Sequence, residues 1–587
     1  LFRSQEFISN FFKEEIFPYL QPVPVCKNRI KTFLRDNRLY LSVRVTRKDT
    51  GEKEYYIIKL PYSKVPRFIE LPRQGENFYL MYMEDIIKAN INRMFPGYDL
   101  DCSYCCKISR DADIFVDDAT SSEVMVEQLR KKVKKRKIGA VCRFVYDRKM
   151  PADYLEFLVD AFGINRDDLV PGDKHLNLED LAHLPNPSKE LCTQLKPRPM
   201  TLNCLDEKES IFRYVSKKDL MLHFPYHSFE HFIHFLYEAV HDPSCKEIMI
   251  TQYRVAENSV VINTLIAAAQ NGKKVTVFVE LKARFDEENN INWAKMLEKA
   301  GCHVIYGLVG LKTHSKITLV VRMEEDGIRR YVHLGTGNYN DSTAKLYTDC
   351  GLLTCNAKIG EDATAVFNML SGYSEPDHWN KLVVAPLWMK DRFLHLIAME
   401  EEHAKKGQKA HIIAKMNSLC DRDIIAALYS ASAAGVKIDL IIRGICCLKV
   451  GIPGVSENIT VRSIVGNFLE HARIFYFYSG GNEEVFMGSA DWMPRNLDKR
   501  VEIVFPVESE RVRDQVMHIL EVQLADNVKA HILQPDGSYE KPDRRGKLQV
   551  NSQNQFCEEA VRNAQLVRKK TDPAERRTFI PIESQEE

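Results

Sequence analysis

The sequence predicts an α/β protein: two tandem copies of one layered α/β domain, preceded by a mixed α+β head. Three observations carry this reading. Strands and helices alternate from about residue 200 onward, the same order returns after about residue 380, and in each copy a histidine stands at the mouth of an apolar strand, two residues ahead of a cation.

Length and composition set the frame. A chain of 587 residues exceeds what one core supports, and the length prior gives roughly three to four domains. With 45% apolar and 28% charged residues, a globally disordered or collagen-like chain is excluded. The net charge of +1 neither supports nor opposes a polyanionic partner, so charge has to be judged by cluster. Fifteen cysteines, odd in number, irregularly spaced and partly inside apolar runs, point to a reducing cytoplasm, and no amino-terminal signal pattern is present. Cys102, Cys105 and Cys106 form the only close cluster, and no second Cys or His pair follows at zinc-ligand spacing. No uninterrupted apolar stretch reaches the roughly 18 to 20 residues of a spanning helix, which leaves peripheral membrane association as the most a bilayer would see. The chain opens at Leu1, not Met, on the amphipathic pattern FRSQEFISNFFKEEIFPYL, which reads as an interior start with an upstream segment missing.

Residues 1–200 are the head. Strand-like runs at Leu39–Val45 and Tyr55–Leu60 alternate with helical stretches such as Val124–Lys132. Its basic run, Lys131–Lys137, reads either as a solvated helix end or as a docking surface for a polyanion. The prolines and polar residues from Pro171 to Pro199 have the composition of a linker.

Residues 201–378 are the first copy. EIMITQYR (Glu247–Arg254) reads as a strand, Val260–Asn271 as a helix closed by Gly272, and KVTVFVEL (Lys274–Leu281) as a buried strand. A helix at Ile291–Lys299 and a strand at His303–Tyr306 lead to Leu311-Lys312-Thr313-His314-Ser315-Lys316 and the run ITLVV. Strand side chains alternate faces, so His314 and Lys316 are expected to point the same way.

Residues 379–587 repeat the order and end in a charged tail, with an amphipathic helix near Glu558–Arg568. LIAAAQNGKKVTVFVEL (Leu265–Leu281) lies over LYSASAAGVKIDLIIRG (Leu428–Gly444), and His471-Ala472-Arg473 again enters an apolar strand. Gly335-Thr336-Gly337-Asn338 corresponds to Gly488-Ser489-Ala490-Asp491, small polar turns whose amides are expected to face an anion. Asn338 precedes Asp349 by 11 residues, and Asp491 precedes Glu502 by the same 11. Each copy therefore offers histidine, cation, turn and carboxylate in one order, although inert duplication would give the same strands.

Two facing half-sites would put an imidazole on either side of one phosphorus, a layout for in-line phosphoryl transfer in which one ring attacks and the other serves as acid or base. Lys316, Arg473, Arg254, Arg284 and Arg443 are candidates to hold the charge of the equatorial oxygens. Asp349 and Glu502 are candidates to accept Nδ1–H from a histidine, leaving Nε2 for chemistry; bonding to turn amides is the alternative.

At these residues the chain resembles a known family. The half-sites look like the paired histidine-lysine motifs of the phospholipase D superfamily, although the aspartate expected shortly after the lysine is absent from both. KKVTVFVELKARFDEENNINWAKMLEKAG, GLKTHSK, GTGNYNDSTAKLYTD and SADWMPRNLDKRVE are closely similar to motifs of the polyphosphate kinase family, the ATP-polyphosphate phosphotransferase branch of that superfamily. The similarity runs from about residue 1 to 540 and is densest from 212 to 505. It implies tandem phospholipase D-like folds, a phosphorylated His314 as the catalytic intermediate with His471 and Lys316 assisting, and nucleotide contacts at Tyr347, Arg443 and His471. It further implies Mg2+ near Arg254 and Arg284, ATP, ADP and inorganic polyphosphate as partners, and a homo-oligomer. The family's amino-terminal helical domain, with an asparagine that contacts ATP, has no counterpart in this sequence. Two rivals stay open: a phosphodiesterase using the same histidines, and a non-catalytic polyanion-binding module. A lipid enzyme would show an amphipathic surface element and a nuclease a basic stripe with interleaved aromatics; neither stands out, so nucleic acid is not an expected partner.

Overall fold

The computed structural model describes residues 2–26, 34–73, 75–110, 141–186, 199–202, 210–256, 258–281, 283, 286–308, 310–372 and 376–568. They fall into two compact units, Leu1–Asp117 with Glu123–Leu195, and Asp118–Ser122 with Lys196–Glu587. Arg284, the basic run Lys131–Lys137, the helix expected from Val124 to Lys132 and the tail past Arg568 lie outside the described residues.

The first unit is a six-stranded sheet in the order Pro22–Pro24, Lys53–Lys59, Arg38–Arg47, Tyr98–Arg110, Val141–Asp147 and Leu169–Gly172. The period-two alternation of RLYLSVRVTR lets one strand serve two cores. Leu39, Leu41, Val43 and Val45 pack with Phe12 and Ile16 and with Met83, Ile86 and Ile87 of the helix Met83–Asn90. Tyr40 turns the other way, to Ile57, Phe144 and the helix Ala152–Phe162. Cys105 and Cys106 are parted by the same alternation onto opposite faces, so this neighbouring pair cannot share one ion.

In the second unit one strand order occurs twice. The first sheet runs His303–Ile305, Lys274–Val279, Cys245–Gln252, Ile317–Glu324, Gly327–Gly335, Tyr347–Thr354, Leu220–Phe224. The second contains the run Ile459–Ile464, Lys437–Ile442, His411–Met416, Arg473–Phe477, Glu484–Gly488, Ile503–Pro506, Val383–Val384, with Ala530–Leu533 and Tyr539–Glu540 added outside Ile459–Ile464. In both, the first two links are parallel and the remaining four antiparallel. The α/β class expected from the sequence is therefore what the chain adopts, down to matching order and polarity.

Local chemistry explains the matching helices. Ser259 caps Val260–Gln270 by accepting from Ile262 N–H, and Asp421 caps Arg422–Ala433 by accepting from Asp423 and Ile424 N–H. Gly272 (φ 78°) and Gly435 (φ 100°) then turn the chain from helix to strand through a left-handed conformation that side chains disfavour. The two sheets share a core: Leu319, Val332 and Leu352 from the first meet Ile474, Met487 and Ile503 from the second, together with the helices Ala357–Leu370 and Glu510–Ala525. A common core fixes the two strand ends that carry the histidines relative to each other.

Candidate active site

Each histidine occupies a gap between a two-residue bridge and a long strand. Lys312–Thr313 pairs in parallel with Arg500–Val501, and Leu469–Glu470 pairs in parallel with Tyr347–Thr348. Past these bridges the N–H groups of His314 and Ser315 both donate to Val501 O at 2.9 Å, while those of His471 and Ala472 donate to Thr348 O at 3.2 and 2.8 Å. The strands Ile317–Glu324 and Arg473–Phe477 begin only afterwards. Regular alternation therefore does not orient His314 and Lys316. They converge through Tyr253 instead, whose ring meets His314 edge-on at 4.7 Å between centroids and lies 5.4 Å from Lys316 Nζ; that ammonium also donates to the His314 carbonyl.

Because the bridges join opposite copies, the carboxylates cross over. Glu502 follows Val501 and accepts from His314 Nδ1 at 2.8 Å, whereas Asp349 follows Thr348 and lies with both oxygens 2.9 Å from His471 Nδ1. Both carboxylates thus meet a histidine Nδ1, each in the other copy; Nε2 of His314 is left for chemistry, while that of His471 lies 3.2 Å from Arg473 Nη1.

The small turns act through hydroxyls. Thr336 Oγ1 donates to Asp349 Oδ1 at 2.6 Å and accepts Cys350 N–H; Ser489 Oγ donates to Glu502 Oε2 and accepts Ile503 N–H. The amides expected to face an anion are otherwise engaged at these positions, since Thr336 N–H donates to Cys350 O and Ser489 N–H to Ile503 O. Gly337 has a steric role, because a Cβ there would fall 2.1 Å from Asp349 Oδ2. Gly337→Ala is expected to displace Asp349, lowering stability by about 2 kcal/mol and turnover with it, as read by thermal unfolding and steady-state kinetics.

Electrostatics follow from burial and cation density. Burial, then Lys316, Arg500, Arg473 and His471, hold His314 well below the ordinary imidazole pKa, so its ring is neutral at neutral pH. Burial also lowers His471, against the pull of Asp349 and with the push of Arg473. Burial brings Lys316 down to about 7 in spite of Glu502. For Asp349 burial opposes the charge, but His471, Thr336 and Arg473 outweigh it and keep the carboxyl below its usual range. Burial raises Glu502, opposed by Lys316 and Arg500, while Ser489 and Asn496 donate to its two oxygens.

The other candidates divide. Arg473 reaches Asp491 through Nε and Nη2, both at 3.2 Å, and its Nη1 donates to the His471 carbonyl at 2.8 Å. Arg443, one residue past the strand Lys437–Ile442, is aimed by Asn417 Oδ1, which accepts from Nε at 3.0 Å and Nη2 at 2.7 Å. Tyr347 lies with its ring 5.2 Å from that of His471. Arg254 stands two residues beyond its strand, against Asp286 at 3.1 Å. Tyr253, Asn417, Asn496 and Arg500 complete the site without having been singled out from sequence. Tyr253 and Asn417 follow Gln252 and Met416, which pair in register with Val279 and Ile442, so the repeat itself was the signal that could have found them. Among the described residues no group of three or more His, Cys, Asp or Glu side chains is arranged to hold a metal.

Family models of polyphosphate kinase match three stretches: the middle domain over residues 3–184, C-terminal domain 1 over 210–376 and C-terminal domain 2 over 382–553. The chain belongs to the polyphosphate kinase family. Among relatives, the polyphosphate kinase of Halalkalibacterium halodurans is 46% identical over 566 residues, covering 95% of this chain and 80% of that protein. The polyphosphate kinase of Lactiplantibacillus plantarum is 42% identical over 581 residues, covering 98% and 80%. The crystal structure of polyphosphate kinase from Porphyromonas gingivalis matches with a TM-score of 0.83 at 37% identity, over 96% of this chain and 84% of that one. As a polyphosphate kinase the protein is a phosphotransferase, and ATP and polyphosphate are the substrates its family implies. No helix among the described residues is long and apolar enough to cross a membrane.

Proposed function

We propose that His314 Nε2 attacks the γ-phosphorus of ATP, that the bond to ADP breaks as the P–N bond forms, and that a terminal oxygen of inorganic polyphosphate then takes the phosphoryl group from His314, each step being reversible. The observation that carries this reading is a buried, neutral imidazole oriented through Nδ1 by Glu502, with Lys316 at its side. Glu502 retains the Nδ1 proton and stabilises the positive charge the ring gains on phosphorylation. Lys316 and Arg473 offset charge on the transferring oxygens. His471, held by Asp349, serves the nucleotide or the terminal phosphate as acid or base; Tyr347 rests against the nucleotide, and Arg443 binds its phosphates through a guanidinium pre-aimed by Asn417.

Mg2+ enters with the nucleotide as part of the substrate. A guanidinium has no lone pair to give a metal, so Arg254 and Arg284, which the family motifs assign to Mg2+, would serve it as neighbouring cations, with phosphate and water as its ligands. The division of labour follows residues 1–200 as head and 201–378 and 379–587 as the catalytic pair. The described cysteines are free thiols, which supports a cytoplasmic location; the family motifs support a homo-oligomer, and peripheral membrane contact is compatible with both.

The test is incubation with γ-labelled ATP and magnesium. Acid-labile, base-stable label should map to His314 and return to ATP when ADP is added; no label, or label on another residue, overturns the reading. A linked prediction concerns Lys316, which is about half-protonated at pH 7 and regains its proton beside phosphate. Binding of MgATP at about pH 8 is expected to take up protons, measured calorimetrically in buffers of different ionisation enthalpy, and Lys316→Met to lose that uptake.

A further inference from the structure

Away from the reacting groups, a second buried ionic cluster stands directly behind His471. Glu470, the preceding residue, accepts at Oε2 from Lys415 Nζ at 2.7 Å, from Gln523 Nε2 at 2.8 Å and from Thr348 Oγ1 at 2.9 Å, and at Oε1 from Gln553 Nε2 at 2.7 Å. Lys415, Glu470, Gln523 and Gln553 are between 1% and 3% exposed. Gln523 belongs to the helix Glu510–Ala525 and Gln553 to the helix Ser552–Arg568. Gln553 also grips the backbone of Phe468, donating to its carbonyl at 3.0 Å and accepting its N–H at 2.9 Å. Gly466 makes room, since a Cβ there would lie 2.3 Å from Gln553 Oε1.

We infer that the Lys415–Glu470 pair, clamped by Gln523 and Gln553, is a positioning network for His471 through which the two C-terminal helices act on phosphoryl transfer without touching substrate. The inference rests on the reading of His471 as the assisting histidine. Two arguments support it. A buried ion pair is a poor stability device, because desolvation consumes most of the Coulombic gain. At the equivalent positions the first copy carries no such pair: the register-equivalent of Lys415 is Thr251, which donates to Ser315 O at 2.8 Å, and the residue before His314 is Thr313. What the pair does is geometric. Glu470 fixes Thr348, Thr348 receives the N–H groups of His471 and Ala472, and Asp349 follows to meet His471 Nδ1. A small misplacement of a reacting group is enough to slow an enzyme severely.

Gln553→Leu keeps the volume and deletes the amide. It is expected to lower kcat about tenfold or more with KM for ATP changed far less, and to move to higher pH the limb of the kcat profile that His471→Ala removes, as the ring gains solvent. Glu559→Gln, which takes the charge out of the 2.9 Å His518–Glu559 contact between the same two helices and keeps an amide oxygen for Gln555, is expected to leave both readouts unchanged. Wild-type kcat and pH profile in Gln553→Leu overturn the inference, and so does an equal loss in Glu559→Gln. Should Gln553→Leu not fold, Gln523→Met removes one donor to Glu470 and is read the same way. Failure of His314 to take label in the wild type counts against the phosphohistidine alone and leaves the kcat and pH comparison standing.

Discussion

His314→Ala is expected to lose polymer synthesis by about 10^5-fold or more, roughly 7 kcal/mol of transition-state stabilisation, and to take no label from γ-labelled ATP. The size follows from removing the nucleophile in a reaction split into two transfers: neither half can then proceed. His471→Ala is the informative partner. Its ring carries no covalent bond in the proposed scheme, so turnover is expected to fall by about 10^2 to 10^4-fold, the range of general acid–base contributions, while label still accumulates on His314. Normal synthesis by His471→Ala would remove the two-histidine mechanism.

Glu502→Gln is expected to cost about 10^3 to 10^4-fold in kcat with little change in melting temperature. The site can take the amide: Asn496 donates to Glu502 Oε1, and its own Oδ1 is buried without a partner among the described residues, so a flip of Asn496 presents an acceptor to the new NH2. What cannot be replaced is the negative charge opposite Nδ1 while His314 carries phosphate. A loss of fold instead of rate, shown by a melting temperature tens of degrees lower, would make Glu502 a structural residue.

The fold was largely legible because its signals are local. The β-branched run at Lys274–Val279, the cap at Ser259 and the closing Gly272 each announce an element within a few residues, and the repeat reproduces them at Lys437–Ile442, Asp421 and Gly435. The site was legible in its members and not in their pairing. Equal spacing from Asn338 to Asp349 and from Asp491 to Glu502 invites each carboxylate to serve its own copy, and nothing local shows that the bridges run between copies. The same blindness placed His314 on a regular strand: a two-residue bridge takes its partner from Arg500–Val501, far outside any window of periodicity. Gln553 lay out of reach altogether, as one polar residue on an amphipathic helix whose partner, Glu470, is 83 positions away.

The crossed carboxylates also set an order of events during synthesis. His314 waits 188 positions for Glu502, and His471 looks back 122 positions to Asp349. A growing chain that has finished the first copy holds an unpaired nucleophile, and no reaction centre exists until residue 502 has left the ribosome and both sheets have closed on their shared core. Contacts of such separation come late in folding, after the entropy of closing a long loop has been met. The newborn chain should therefore stay unable to consume ATP until both copies have been made, and gain that ability in a single step.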